Sequence, residues 1–187
     1  LLTAFSNTPW VVTEAKFSDM LAFLELRDRG VVFGPDTVAA RIGTPPPSAD
    51  YQRIGSVGVV PVHGVIAQRM DMFTAVSGGS STERIAAMFD AALADPEVES
   101  IVLDISSPGG SVPGVPELAN RIYNARGKKP IVALADSEMA SAAYWIGAAA
   151  DRIVVTPSGM VGSVGVYMLH SDYSRGEENA GVRHTFI

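Results

Sequence analysis

From Ile54 onward, short runs of β-branched residues alternate with stretches whose apolar residues recur at helical spacing, and this alternation is what most restricts the fold. Val57 to Val62 is predicted as a strand, with Val65-Ile66 continuing or pairing with it after Gly64. Ser77-Gly78-Gly79 makes a loop, and Ser80 with Glu83 forms a capping-box signature for a helix whose apolar face is Ile85, Met88, Ala92 and Leu93. Asp95-Pro96 ends that helix. Ile101 to Ile105 is then a buried strand, Pro108-Gly109-Gly110 a turn, Pro116 to Arg126 a helix and Ile131 to Ala135 a strand. A small-residue helix over Ser141 to Ala149 comes next, with strands at Ile153 to Val155 and Val164 to Leu169, a helix over Tyr173 to Ala180 and a last strand over Val182 to Ile187. This order predicts an α/β domain with right-handed crossovers and a mostly parallel sheet covered on both faces.

The first fifty residues read differently. Trp10 to Leu26 carries Phe17, Met20, Leu21 and Leu24 at helical spacing, and Pro45-Pro46-Pro47-Ser48 interrupts regular structure. Residues 1–50 are therefore expected to be a helical arm and linker, and residues 51–187 one folded domain. The 187 residues, 47% of them hydrophobic, suffice for one sizeable core. A net charge of -6 leaves no electrostatic footprint for nucleic acid. The absence of cysteine excludes a disulfide framework, a thiolate metal site and a cysteine nucleophile. No apolar run reaches the roughly 18 residues of a membrane span, so the chain is expected to be soluble, with protein partners.

Two clusters can carry chemistry. Ser106-Ser107-Pro108-Gly109-Gly110-Ser111 comes directly after a buried strand, and its glycines let backbone N–H groups approach a ligand; it can equally be a plain strand-to-helix turn. Met139-Ala140-Ser141-Ala142-Ala143-Tyr144-Trp145 again joins a strand to a helix, where a serine is ordinarily just a helix cap. Taken together they gain meaning, because ligands of parallel sheets bind beyond the carboxyl ends of the strands. Amides of Gly109 or Gly110 and of Ala142 can then face the carbonyl oxygen of a peptide attacked by Ser141. No His/Asp/Glu spacing supports a metal site and the glycines form no phosphate-binding fingerprint, so no cofactor is expected.

The runs Ile101–Gly110, Ala140–Gly147 with Ala150-Asp151-Arg152-Ile153, and Gly159–Val166 resemble, in order and spacing, the signal peptide peptidase A family of serine peptidases. The match covers roughly residues 55–187. The segment around Pro9-Trp10 and the helix after it is similar to the soluble branch encoded by phages, which cleaves head and scaffold proteins inside the prohead. The resemblance implies a Clp/crotonase-like spiral of strand-strand-helix units, a Ser–Lys dyad, a homo-oligomeric ring, a protein or peptide substrate, and a location in the prohead or host cytoplasm. Carried over residue by residue, it makes Ser141 the nucleophile, Gly109 and Gly110 the oxyanion donors with Ala142, and Ser163 a helper that orients the lysine; Ser163 can also be only a small residue in a Gly-rich turn.

The lysine itself departs from the pattern. The resemblance places it some fifty residues after the nucleophile, so it is expected just beyond Ile187, in a domain truncated at its C-terminal end. Lys16, Lys128 and Lys129 are the lysines of this chain, and the last two suit a solvated helix end. His170 lies 29 positions after Ser141, not far from the spacing of the Ser-His-Asp Clp peptidase, but a Gly-rich turn around Ser163 fills the region where that enzyme keeps its histidine. His63 and His184 read as polar residues near strand ends. The rival readings are a crotonase-type enzyme acting on acyl-CoA, with Glu138 the neighbouring carboxylate, a cellular signal-peptide-degrading peptidase, and a catalytically silent assembly module. Bulky replacement of Gly110 is expected to cost rate more than stability.

Overall fold

The computed structural model describes residues 51–69 and 79–166 continuously, together with 10–12, 18, 21, 22, 24, 25, 29, 30, 179 and 181. Its strands are β1 (Trp10–Val12), β2 (Gln52–Ile54), β3 (Val57–His63), β4 (Ile66–Ala67), β5 (Ser80–Ser81), β6 (Ser100–Ser107), β7 (Gly109–Ser111), β8 (Ile131–Ala140), β9 (Arg152–Val155) and β10 (Met160–Gly162). The helices are α1 (Thr82–Ala94), α2 (Val115–Ala125) and α3 (Ala142–Gly147).

The larger sheet runs β10-β8-β6-β3-β2, with β9 pairing the first half of β8 and β10 its second half. All of its pairings are parallel except β2 with β3. A smaller sheet, β1-β7-β4-β5, takes its strands from the loops at the carboxyl ends of β3 and β6 and from the N-terminal region. The strand-strand-helix order β3-β4, then β5 into α1, and β6-β7-α2 is the expected spiral.

Alternation decides what the sheet buries. Val60, Val62, Ile101, Leu103, Ile105, Ile131, Ala133 and Ala135 point to one face and are almost wholly inaccessible. All three helices close over that face: Ile85, Met88, Phe89 and Ala92 from α1, Val115, Leu118 and Ile122 from α2, and Ala142, Ala143 and Ile146 from α3 join the same cluster. Burying a side chain such as Phe89 contributes about 2–3 kcal/mol. The opposite face carries Val59, Pro61, Val102, Val132 and Leu134, which are only half-buried and lie outside the cluster. Among the described residues the sheet is thus covered on one face and not on both, because all three crossover helices pack on the same side.

Other expectations shift locally. Trp10–Val12 is extended, not helical, because it pairs antiparallel with Gly109–Ser111; helical residues of the arm begin by Ser18. The arm is thereby tied into the small sheet through its first described segment. Ser81, not Ser80, caps α1, its Oγ accepting from the Arg84 amide at 3.2 Å, while Ser80 belongs to β5. Glu83 pairs instead with Arg69 at 2.9 Å. Of the expected strand Val164 to Leu169, residues 164–166 form no strand and 167–169 lie outside the described residues; β10 lies earlier, at Met160–Gly162. The expected helix over Tyr173 to Ala180 falls outside the described residues except position 179, which is helical, and the expected strand Val182 to Ile187 lies outside them but for one neighbouring turn residue, Gly181.

β8 is twice the expected length. Ile105 faces Ala135 and Ser107 faces Met139, so two steps along β6 match four along β8. The bulge lies at Asp136 to Glu138, where Ser137 Oγ meets Ser106 Oγ at 2.7 Å. Bulges of this kind bend a strand and re-aim the residues after them. Here the next residues are Met139, Ala140 and Ser141.

Candidate active site

Ser141 stands between β8 and α3, at the carboxyl end of the sheet. It occupies the cap position of the helix but does not cap it: its side chain accepts no hydrogen bond from the first turn. Its backbone has φ 57° and ψ -114°, a conformation costly for any residue with a Cβ. The residue is 3% exposed, and its buried hydroxyl has no hydrogen-bond partner among the described residues. An ordinary N-cap serine would have extended backbone and a bonded Oγ. Ser141 has neither among the described residues, and strain combined with such a hydroxyl is characteristic of functional positions.

Two backbone hydrogen bonds hold this turn. The Ser141 amide donates to the Gly162 carbonyl at 2.8 Å, and the Trp145 amide donates to the Ser141 carbonyl at 2.9 Å, so the elbow is fixed from β10 on one side and α3 on the other. At the far end of α3, Arg126 donates to the carbonyls of Ala148 at 3.0 Å and Ala149 at 2.8 Å, and also to that of Ala150. A guanidinium there satisfies the last carbonyls and complements the helix dipole. Arg126 and Gly162 were missed in the sequence. Arg126 reads as the end of its own helix, and a carbonyl acceptor has no side-chain signature.

The second cluster is a strand, not only a turn. Gly109–Ser111 forms β7, fully buried, with Gly110 opposite Ile66 of β4 and Val11 of β1. A Cβ on Gly110 would lie 1.8 Å from the Ile66 carbonyl oxygen, so glycine is demanded by close backbone approach. Ser107 Oγ donates to the Gly64 carbonyl at 2.6 Å and accepts from the Gly109 amide at 3.1 Å. The Gly109 amide therefore has a partner within the turn. β7 packs against α3, which brings Gly110 and Ala142 to the same region as Ser141.

Ser163, the other described non-glycine residue with positive φ, at 54°, comes after Gly162 and is exposed. Lys129 is not near the serine: its Nζ donates to the carbonyls of Ala92 at 3.0 Å and Asp95 at 2.6 Å, closing the C-terminal end of α1. Lys128 is exposed on the same loop, at the amino end of β8. His63 ends β3 and bonds Asp104 through Nε2 at 3.0 Å. Glu138 lies in the bulge. Lys16, His170 and His184 fall outside the described residues. Among the described residues no cluster of His, Asp and Glu could hold a metal ion, and no helix is long and apolar enough to cross a membrane.

A mostly parallel sheet joined to a small second sheet, with a strained strand-to-helix serine beside a glycine strand, defines an α/β domain with a candidate site at the carboxyl edge of its sheet. The model of peptidase family S49 matches residues 124–187 of the chain. The chain is similar to the head-tail preconnector protein GP5 of Enterobacteria phage P21, 36% identical over 75% of this chain and 28% of that protein. It is likewise similar to the capsid assembly protease C of Escherichia phage lambda, 36% identical over 76% of this chain and 33% of that protein. The chain thus spans about a third of the length of these relatives. Among solved structures, an enoyl-CoA hydratase/isomerase family member aligns with a TM-score of 0.48 at 15% identity, covering 72% of this chain and 53% of that one.

Proposed function

We propose that this domain is the core of a serine endopeptidase with Ser141 as nucleophile, acting on capsid or scaffold proteins during phage head maturation. The observation that carries the reading is the Ser141 elbow: positive φ, no capping bond, and a buried hydroxyl without a partner among the described residues. The phage relatives support the choice of substrate class.

In this mechanism a neutral lysine just beyond Ile187 takes the Ser141 proton as Oγ attacks the peptide carbonyl, and the acyl-enzyme is then hydrolysed. Burial among Ala140, Ala142, Ala143 and their neighbours disfavours an ammonium and so brings a lysine toward neutrality. The amides of Gly110 and Ala142 stabilise the oxyanion, each donor being worth roughly 3 kcal/mol of barrier. Gly109 contributes by shaping the turn through Ser107, and Ser163 orients the lysine. The peptide binds as an added extended strand, small apolar side chains favoured, and the enzyme works as a homo-oligomer in the prohead or host cytoplasm.

Treating the full-length protein with a serine-reactive fluorophosphonate and mapping the adduct by mass spectrometry tests this. Labelling confined to Ser141 is expected. An unlabelled Ser141 in folded full-length protein would favour the silent assembly module.

A further inference from the structure

The proposed reaction needs an extended peptide held beside Ser141, and a competitor for that peptide presupposes the peptidase reading. β7 is the strand that packs on α3 and carries Gly110. One of its edges belongs to β4, and the other is taken by β1, with Trp10 opposite Ser111, Val11 opposite Gly110 and Val12 opposite Gly109. β1 is distant in sequence from the domain it joins, and it is only three residues long. Strand addition recognises a peptide mainly through its main chain, so any extended segment of suitable register can serve. The chain's own segment already does so. Ser141, for its part, is only 3% exposed as a residue.

We infer that the outer edge of β7 is the peptide-binding edge of this site, and that Trp10–Val12 occupies it as an intramolecular competitor. Its ligand is an extended polypeptide running antiparallel to Gly109–Ser111. Substrate enters only when β1 leaves. A strand of three residues forms few ladder bonds and opens at low cost, so the competitor delays substrate without excluding it. The fraction of molecules with the edge vacant divides the apparent affinity, whereas the complex, once formed, is the same. The competition therefore raises KM and leaves kcat untouched.

Two variants of the full-length protein test this, with fluorescein-labelled casein as substrate. Trp10→Cys with Ser111→Cys creates a cross-strand pair between β1 and β7, in a stretch of 187 residues that has no cysteine of its own. Oxidation should lower casein cleavage by about tenfold or more, since β1 can no longer leave, and reduction should restore it. In an antiparallel ladder alternate residues exchange bonds with the partner, so Val11→Pro with Val12→Pro removes a ladder donor whichever register holds. That variant should lower KM severalfold with kcat unchanged. Equal cleavage by the oxidised and reduced cysteine pair, or a KM unchanged or raised by the prolines, would overturn the competitor while leaving the peptidase reading intact. A parent protein that labels and cleaves nowhere would remove that reading and the competitor together.

Discussion

The amide of Ser141 donates to the carbonyl of Gly162 at 2.8 Å, so the turn bearing the candidate nucleophile is anchored by the neighbouring parallel strand. Gly162 has φ 136°, a region essentially reserved for glycine, while a Cβ placed there would meet nothing within 4 Å. Gly162→Ala therefore acts through backbone conformation alone. It should cost about 1–3 kcal/mol of stability and lower kcat of casein cleavage more than it raises KM. A variant with parental kcat in steady-state assays would show that the anchor does not position Ser141.

Ser141→Ala removes a hydroxyl that is buried and bonded to nothing among the described residues. Cleavage should vanish, and thermal unfolding should change by no more than about 1 kcal/mol, in either direction, because no hydrogen bond is lost. Residual cleavage at the parental rate would transfer the nucleophile elsewhere.

Gly110→Ala forces a Cβ against the Ile66 backbone. The structure thus changes the expectation drawn from sequence, that such a change costs rate more than stability. Parting β4 from β7 should cost about 2–3 kcal/mol as well as activity, measurable by urea unfolding.

Lys129→Ala should lower stability by about 1–2 kcal/mol, since the Ala92 and Asp95 carbonyls lose a charged donor. Cleavage by the folded variant should equal that of the parent. A collapse of kcat with stability preserved would instead place Lys129 in the chemistry.

The Tyr51 hydroxyl, bonded to Asp95, is the main cause holding that carboxyl below its usual range, and the Glu97 amide assists at 2.8 Å. A depressed carboxylate pKa stabilises the fold at pH values above the unfolded value near roughly 4, and that contribution is lost as pH falls through the folded value. Tyr51→Phe should accordingly lower the melting temperature at neutral pH, and the difference from the parent should shrink in strong acid, near roughly pH 2. Equal differences at both pH values would contradict the linkage.

Much of this was legible in the residues. Val57 to Val62, Ile101 to Ile105 and the start of β8 alternate apolar side chains toward one face, and burial has the same period. Ser141 could be singled out because it joins a strand to a helix among small residues. Its unusual φ could not, since an N-cap serine and a strained one share the same sequence signature. The second half of β8 was hidden because Asp136, Ser137 and Glu138 read as a polar loop, although a bulge lets them stay within a strand. β1 was hidden by its position next to a helical pattern: a three-residue strand is specified by the distant edge it pairs with, not by its own periodicity. By sequence Lys129 suits the solvated end of its own helix, whereas its ammonium closes α1, a contact made only after the chain turns back.

The bulge in β8 also sets a rule for insertions and deletions. Side chains along a strand change sides at every residue, and the two extra residues opposite β6 preserve that parity, leaving Met139 on the interior side across from Ser107. Loss of a single residue from Asp136 to Glu138 would put Ala140 where Met139 now fills the interior. Loss of two would restore the sides but draw Ser141 back by about 6–7 Å along the strand. Lineages of this domain are therefore expected to vary freely in the identity of these three polar residues while keeping their number, because that number is a spacer measuring out the distance to the serine.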